Sequence, residues 1–282
     1  MRYLSFYGLD EKPFELTPNP KYLYLSDEYR RAYEHLLYGV RSREGFIVIT
    51  GEVGTGKTTL LRAVLNSLRE EDCETAFVFN PSVSAEELLE NVLEEFGLPV
   101  NWVMTKKEMM DRLNGFLLDQ LRQGSHAVLL IDEAQNLSPE VLEEVRLLTN
   151  LETESQKLLQ VVLLGQPELR DMLDRPDLRQ LNQRVAIRYH LEPLPRDQVP
   201  GYVRHRLSVA GDGGQIEFTR GAYRGIYRYS DGVPRLINKA CDKALLAGYA
   251  EGSRKIDGRL VRQGIRTVEG EAPGRRFLLW GV

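Results

Sequence analysis

Cysteine is nearly absent: Cys73 and Cys241 are the only two in 282 residues, and they lie far apart in the chain. They match no metal spacing and follow no secretory signal, so both read as free, buried thiols rather than as a disulfide framework. Histidine is scarce as well. His35, His126, His190 and His205 are scattered, with no pair at the helical spacing of metal ligands. The opening MRYLSFYGLDEKPF lacks the apolar stretch of a targeting peptide. No run of about 18 apolar residues occurs, so nothing reads as a bilayer-spanning helix. The expected compartment is the cytoplasm. Positive charge is not in excess either: the net charge is −4, which gives no global field for nucleic acid or membrane, although a local basic patch is compatible with it.

What is present is an ordinary folded composition, 42% hydrophobic and 28% charged, which excludes disorder as the starting assumption. The length suggests about two structural units. One stretch departs from this. Residues Arg275, Arg276, Phe277, Leu278, Leu279 and Trp280 turn abruptly apolar after two arginines. They read either as the cytoplasmic edge of a truncated membrane helix or as a tail that packs or frays.

Residues 1–45 carry turn signals and aromatics, including Pro13, Pro18, Pro20, Tyr22 and Tyr24, and then a helical stretch from Asp27 to Arg41. Short, continuous apolar runs follow at 46–50, 76–80, 127–131, 160–164 and 186–190, separated by segments of helical periodicity. Ser84 with Glu87 marks one helix start as a capping box. Unbroken apolar runs alternating with helices predict an α/β fold with a parallel sheet covered on both faces. After Pro195 only helical segments are expected, near 198–210, 219–230, 234–248 and 257–268. The expected organisation is an N-terminal segment (1–45), an αβα core (46–195), a small all-helical domain (196–268) and a tail (269–282).

The segment Gly51-Glu52-Val53-Gly54-Thr55-Gly56-Lys57-Thr58 matches G-x-x-x-x-G-K-[ST] in full, with a strand before it and a helix after it. Glycines let the backbone curl so that successive N–H groups face phosphates, and the helix N-terminus adds partial positive charge. This is a P-loop for ATP. Lys57 is placed to reach the β- and γ-phosphates and the Thr58 hydroxyl to ligate Mg2+. The third apolar run ends in Asp132-Glu133. Asp132, at a strand's carboxyl end, is suited to hold magnesium, and Glu133 to act as base or positioner for an attacking water. Alone, two acids after a strand are an ordinary solvated turn; a P-loop upstream changes that weighting.

Other residues carry two readings each. Asn80 ends the second run, either as an amide that holds Glu133 away from water or as a turn former before Pro81. Gln166 follows the fourth run at the sheet's carboxyl edge, where it would orient water, or else is an incidental loop residue. Arg184 is a candidate finger reaching a neighbouring subunit's ATP, with Arg179 as the alternative. Arg235, in Gly232-Val233-Pro234-Arg235, is a candidate contact to the γ-phosphate from the helical domain. Simple solvation competes for each of these arginines.

Taken together, Gly51–Thr58, Asp132-Glu133, Gln166, Arg184 and Gly232–Arg235 occur in the order found in AAA+ ATPases, which the chain resembles over roughly residues 1–268. More narrowly it resembles the ExeA/GspA secretion ATPases, through Phe6–Leu9, Lys12–Phe14, Pro18–Pro20, Leu23–Ser26, Leu37–Val40, Gly51–Thr59, Asp132–Leu137 and Leu163–Leu169. The resemblance implies a three-layer αβα P-loop NTPase core with a helical lid. It also implies Walker A at residues 51–58, continuing into Thr59, and Walker B at Asp132 and Glu133. Gln166 falls at sensor 1, Arg184 at the finger, Arg235 at sensor 2 and Asn80 at the glutamate switch, with the N-terminal Pro/Tyr segment near the adenine. Relatives serve secretion, type IV pilus or exopolysaccharide machines. Full-length ExeA-type proteins continue into a membrane helix and a peptidoglycan-binding domain, which do not follow in these residues.

The expectation is therefore a magnesium-dependent ATPase that forms an ATP-dependent homo-oligomer and serves an envelope secretion or pilus machine. Its expected place is the cytoplasm, with inner-membrane association through the cytoplasmic face as an option. Two alternatives stand: a TniB-like DNA-associated regulator and a slow nucleotide-dependent scaffold. The net charge of −4 and the lack of a basic appendage make nucleic acid a poor fit.

Overall fold

A computed structural model describes residues 2–68, 72–79, 82–101, 103–153 and 156–268. The elements begin with α1 (Arg2–Tyr7), α2 (Asp27–Arg41), β1 (Phe46–Gly51), α3 (Lys57–Leu68), β2 (Cys73–Val78) and α4 (Ala85–Glu95). They continue with α5 (Lys106–Arg122), β3 (His126–Ile131), α6 (Pro139–Leu148), β4 (Leu159–Gly165), α7 (Pro167–Leu173), α8 (Arg179–Asn182) and β5 (Val185–Leu191). The rest is α9 (Val199–Val209), β6 (Glu217–Phe218), α10 (Arg220–Ser230), α11 (Pro234–Ala250), β7 (Lys255–Ile256) and α12 (Gly258–Val268). Contacts divide the chain into two compact units. One takes the residues up to Glu28, the stretch Gly54–Gly56 and those from Glu192 onward; the other takes Tyr29–Val53 and Lys57–Leu191.

The second unit is built on a five-stranded sheet in the order β2-β3-β4-β1-β5, parallel throughout. Every residue of β1 and β4 is buried, and so is all of β3 except His126. Helices cover both faces, so these strands have no solvent side to mark with polar residues, and they read as unbroken apolar runs. The register brings Thr50 beside Gly165 and Leu163 beside Ile131. The residues that leave the carboxyl ends of β1, β4 and β3 therefore emerge side by side, about 5 Å apart from strand to strand. α3 buries Leu60, Leu61, Val64, Leu65 and Leu68 along one stripe, as its periodicity requires. The capping box at α4 forms as expected: Ser84 Oγ accepts from Glu87 N at 3.3 Å, and Glu87 accepts from Ser84 N at 2.7 Å.

The first unit contains the expected helices α9–α12 and one addition. β6 and β7 pair in parallel through Glu217 with Lys255 and Phe218 with Ile256, two residues each and too short for any periodicity to reveal. α1 belongs here too. The Tyr7 hydroxyl lies within donating distance of the Leu245 carbonyl (2.9 Å) and the Ser253 carbonyl (3.1 Å). Buried Arg206 donates to the Pro13 carbonyl at 2.6 Å and the Glu15 carbonyl at 3.3 Å, and stacks 4.6 Å from the Tyr22 ring centroid. Such an arginine satisfies loop carbonyls that would otherwise be buried unpaired. Gly232 has φ +82°, and a Cβ there would overlap the Leu194 carbonyl, so only glycine fits between α10 and α11.

The two thiols differ. Cys241 on α11 is buried, as expected, and burial raises its pKa. Cys73 opens the edge strand β2 and is only half-buried, which corrects the expectation of two buried cysteines: an edge strand lacks the neighbour that would cover its first residue. A thiol reagent under native conditions is expected to modify one cysteine, Cys73, with Cys241 reacting only after denaturation. Mass spectrometry that finds both labelled at once would contradict this packing. Among the described residues no helix is long and apolar enough to cross a membrane. The apolar tail noted in the sequence lies outside the described residues.

Candidate functional site

The P-loop leaves β1 at Gly51 and ends in the first turn of α3. Its curl rests on two glycines in the left-handed region, Gly54 at φ +83° and Gly56 at φ +98°. A Cβ at Gly54 would overlap Arg235 of the same compact unit, whose backbone N donates to the Gly54 carbonyl at 3.1 Å. Thr55 is fully buried, whereas Glu52 and Val53 are exposed. Lys57 is buried, and its Nζ donates to the Gly51 carbonyl at 2.7 Å and the Glu52 carbonyl at 3.1 Å. Burial lowers its pKa, and the fields of Glu133, Asp132, Glu52 and Glu168 act against that shift. The ammonium is thus kept inside the loop by carbonyls and by surrounding negative charge. Thr59, beside Thr58 in the first turn of α3, is half-buried.

Thr58 follows on α3, and its hydroxyl donates to Asp132 Oδ2 at 2.7 Å. The two residues proposed from the sequence to ligate magnesium, 74 positions apart, therefore meet. Asp132 is buried, which raises its pKa; the Thr58 hydroxyl and the Glu133 backbone N–H (3.0 Å to Oδ1) pull it the other way. A buried carboxylate beside a hydroxyl is the hard-oxygen donor set that suits Mg2+, and a P-loop lined by N–H groups suits phosphates. The residues fit both groups.

Glu133 sits in the left-handed region at φ 54°, ψ 39°, unusual for a non-glycine and common at functional sites. This turn directs its carboxylate across the carboxyl edge toward β4. Oε2 accepts from Gln135 Nε2 at 2.6 Å and from Gln166 Nε2 at 3.1 Å. Burial pushes the Glu133 pKa up, but the two amides and Lys57 pull it further down, so the carboxylate titrates below its ordinary value. Gln166, the N-cap residue of α7, is thereby joined to Glu133, a partnership for which the sequence offered Asn80 instead.

Gln135 was not anticipated as a site residue. Its Oε1 accepts from Gln166 N at 3.0 Å, so one side chain touches both Glu133 and the end of β4. Its local signs are an amide two positions after the acidic pair and a place in the Asp132–Leu137 stretch that carries the family resemblance, neither of which gives it a role; its partner lies 31 residues away. Arg184 is held within its own unit, donating to Asn150 Oδ1 at 2.6 Å and to Thr149 Oγ1 at 3.3 Å just beyond α6. The alternative, Arg179, is exposed, and no hydrogen bond or ion pair ties its side chain to another described residue. Arg235 is exposed at the start of α11. Asn80 lies outside the described residues.

Comparisons with known proteins bear on the family and the fold. Residues 40–173 match an AAA domain family. Over 254 residues, 90% of the chain, it is 51% identical to general secretion pathway protein A of Aeromonas hydrophila. The chain spans only 46% of that relative's length. Among solved structures it is similar to the Aeropyrum pernix ORC2 protein in ADPNP–ADP complexes, with a TM-score of 0.68, 19% identity, and coverage of 93% of this chain and 74% of that one. It is also similar to Drosophila ORC bound to DNA, with a TM-score of 0.70, 19% identity, and coverage of 91% and 64%. The Thermotoga maritima RuvB Holliday junction branch migration motor matches at a TM-score of 0.53, 17% identity, and coverage of 86% and 69%. At these identities the solved structures establish the fold.

Proposed function

We propose, for a chain that belongs to the AAA-domain ATPases of the general secretion pathway protein A type, that it binds ATP with magnesium and hydrolyses it, completing each site with a neighbouring copy. The observation that carries this is the convergence on one sheet edge of Lys57, the Thr58–Asp132 pair and a Glu133 carboxylate kept ionised by amide donors. Thr58 and Asp132 would hold magnesium, which supplies positive charge to phosphate oxygens. Residues 51–59 would hold the phosphates with their N–H groups. Lys57 neutralises charge that grows on the transferring group, and Glu133 takes the proton of an attacking water that Gln166 helps orient.

Arg184 remains the proposed finger, with Arg235 as sensor 2 and Asn80 as a regulator of Glu133. In this reading the tether to Asn150 presets the Arg184 guanidinium, whereas Arg179 is the less restrained alternative. The relative named for general secretion supports service to a secretion machine; a pilus or exopolysaccharide machine, and a place at the cytoplasmic face of the inner membrane, are our extension of that reading.

The test follows ATPase activity and molar mass by light scattering as protein concentration rises, with and without ATP. Specific activity is expected to climb together with a multimeric mass. A monomer of constant specific rate would remove the shared site. In the multimer, Arg184→Ala is expected to keep nucleotide binding and lose on the order of 10³-fold in rate, the scale of a missing finger. Mixing it with Lys57→Ala protein should restore part of the rate, since each variant supplies what the other lacks. Rescue with Arg179→Ala in its place would transfer the role.

A further inference from the structure

Gln135 occupies an unusual position in the hydrogen-bond pattern. It stands in a short 3-10 turn, Ala134–Asn136, that begins directly after Glu133. Its amide faces two different groups. The Gln166 backbone N–H can only donate, so the atom facing it must be Oε1; the Glu133 carboxylate can only accept, so the atom facing it must be Nε2. The two contacts define the amide's orientation without ambiguity, at 3.0 and 2.6 Å. Gln166 closes the triangle, since its own Nε2 reaches the same Oε2 at 3.1 Å. Among the described residues no donor meets the other carboxylate oxygen, Oε1.

The end of β4 is shaped to admit this amide. A Cβ on Gly165 would lie 2.8 Å from both Gln135 Oε1 and Leu169 Cδ2, closer than packed atoms approach. Glycine at 165 thus makes room for two neighbours, the packed Leu169 side chain of α7 and the Gln135 amide that reaches the strand end.

We propose that Gln135 is a positioning residue: it locks the Glu133 carboxylate and the Gln166 loop into one unit, holding the carboxylate by a single oxygen and leaving the other to receive a proton from water. The proposal rests on the ATPase reading, and it assigns to Gln135 a role in turnover but none in nucleotide affinity. Gln135 acts through Glu133 and Gln166 and touches no reacting atom. Without it, the carboxylate retains one amide donor and the loop after β4 loses its side-chain tether.

The experiment compares wild type, Gln135→Ala and Gln135→Glu for kcat, KM and the Kd of a fluorescent ATP analogue, with Gln166→Ala completing a double-mutant cycle. Gln135→Glu matters because it keeps the shape and the acceptor for Gln166 N while replacing the donor with a carboxylate. Both variants are expected to lose kcat by about 10- to 100-fold, as loss of an orienting partner commonly does, with Kd within about twofold of wild type. In the double variant, Gln135→Ala with Gln166→Ala, the loss should fall short of the product of the two single losses, because the pair acts as one unit.

A Gln135→Glu chain that turns over like wild type would overturn the proposal. So would a parallel rise in Kd and loss of melting temperature, which would mark a packing role. A multiplicative double variant would do the same. A wild-type chain that hydrolyses no ATP overturns the ATPase reading itself, and that result is distinct from an active wild type with unaffected variants.

Discussion

Glu133→Gln is expected to bind ATP as tightly as the wild-type chain and to lose turnover by on the order of 10²–10⁴-fold, the usual contribution of a positioned base. The substitution is nearly isosteric. The carbonyl oxygen of the new amide can accept from Gln135 and Gln166 as Oε2 does, so the arrangement around it has no reason to collapse. What disappears is the negative charge that can take a proton. Burial alone would favour the neutral acid; the amides and the charge of Lys57 reverse that and hold the carboxylate ionised. An amide has no such state. Affinity by calorimetry and rate by phosphate release separate the two expectations. Undiminished hydrolysis would remove Glu133 from the mechanism, and lost binding would place it among the nucleotide contacts instead.

Lys57→Ala is expected to remove ATP binding. The ammonium is buried within the loop and held by two carbonyl acceptors, so its orientation is set by the loop's own backbone. A charge-assisted hydrogen bond contributes about 1.5–3 kcal/mol, and losing two to phosphate oxygens would weaken binding by roughly 10²–10⁴-fold. Stability should change little by comparison. The variant forfeits two bonds to carbonyls but also the cost of burying a cation, which is large enough to lower its pKa. Titration with a fluorescent ATP analogue, with melting temperature as the control for folding, makes the comparison. Tight binding by a folded variant would sink the P-loop assignment.

Much of this site was legible because its chemistry is local. Residues 51–58 are contiguous, and their strand and helix are set by the neighbouring apolar runs; Asp132 and Glu133 end an unbroken buried strand. Thr58 and Asp132 were each assigned to magnesium from the sequence, and their direct hydrogen bond across the strand ends came only with the fold. What escaped depends on distance along the chain. Gln135 has no periodicity or spacing to announce it, and its meaning arises only when β4 ends beside it. Cys73 was misjudged because sequence does not say which strand lies at an edge. α1, six residues long, and the two-residue strands β6 and β7 are too short for a periodic signal and are held by partners elsewhere: Tyr7 by Ser253, Glu217 by Lys255.

The order in which the units occur along the chain bears on how the protein is made. Residues up to Glu28 belong with those from Glu192 onward, and the α/β unit lies between them in sequence. Synthesis proceeds at about 5–20 residues per second, and units generally fold as they are completed. The early segment carrying Tyr7, Pro13 and Tyr22 therefore leaves the ribosome on the order of ten seconds or more before Arg206 and Leu245, the residues that receive it. In that interval its aromatic side chains have no docking surface, while the parallel sheet can already close. In a nascent chain of this design the earlier part of that unit is exposed to chaperones and proteases for the whole interval, and it finds its place only after the residues that follow it by nearly two hundred positions are made.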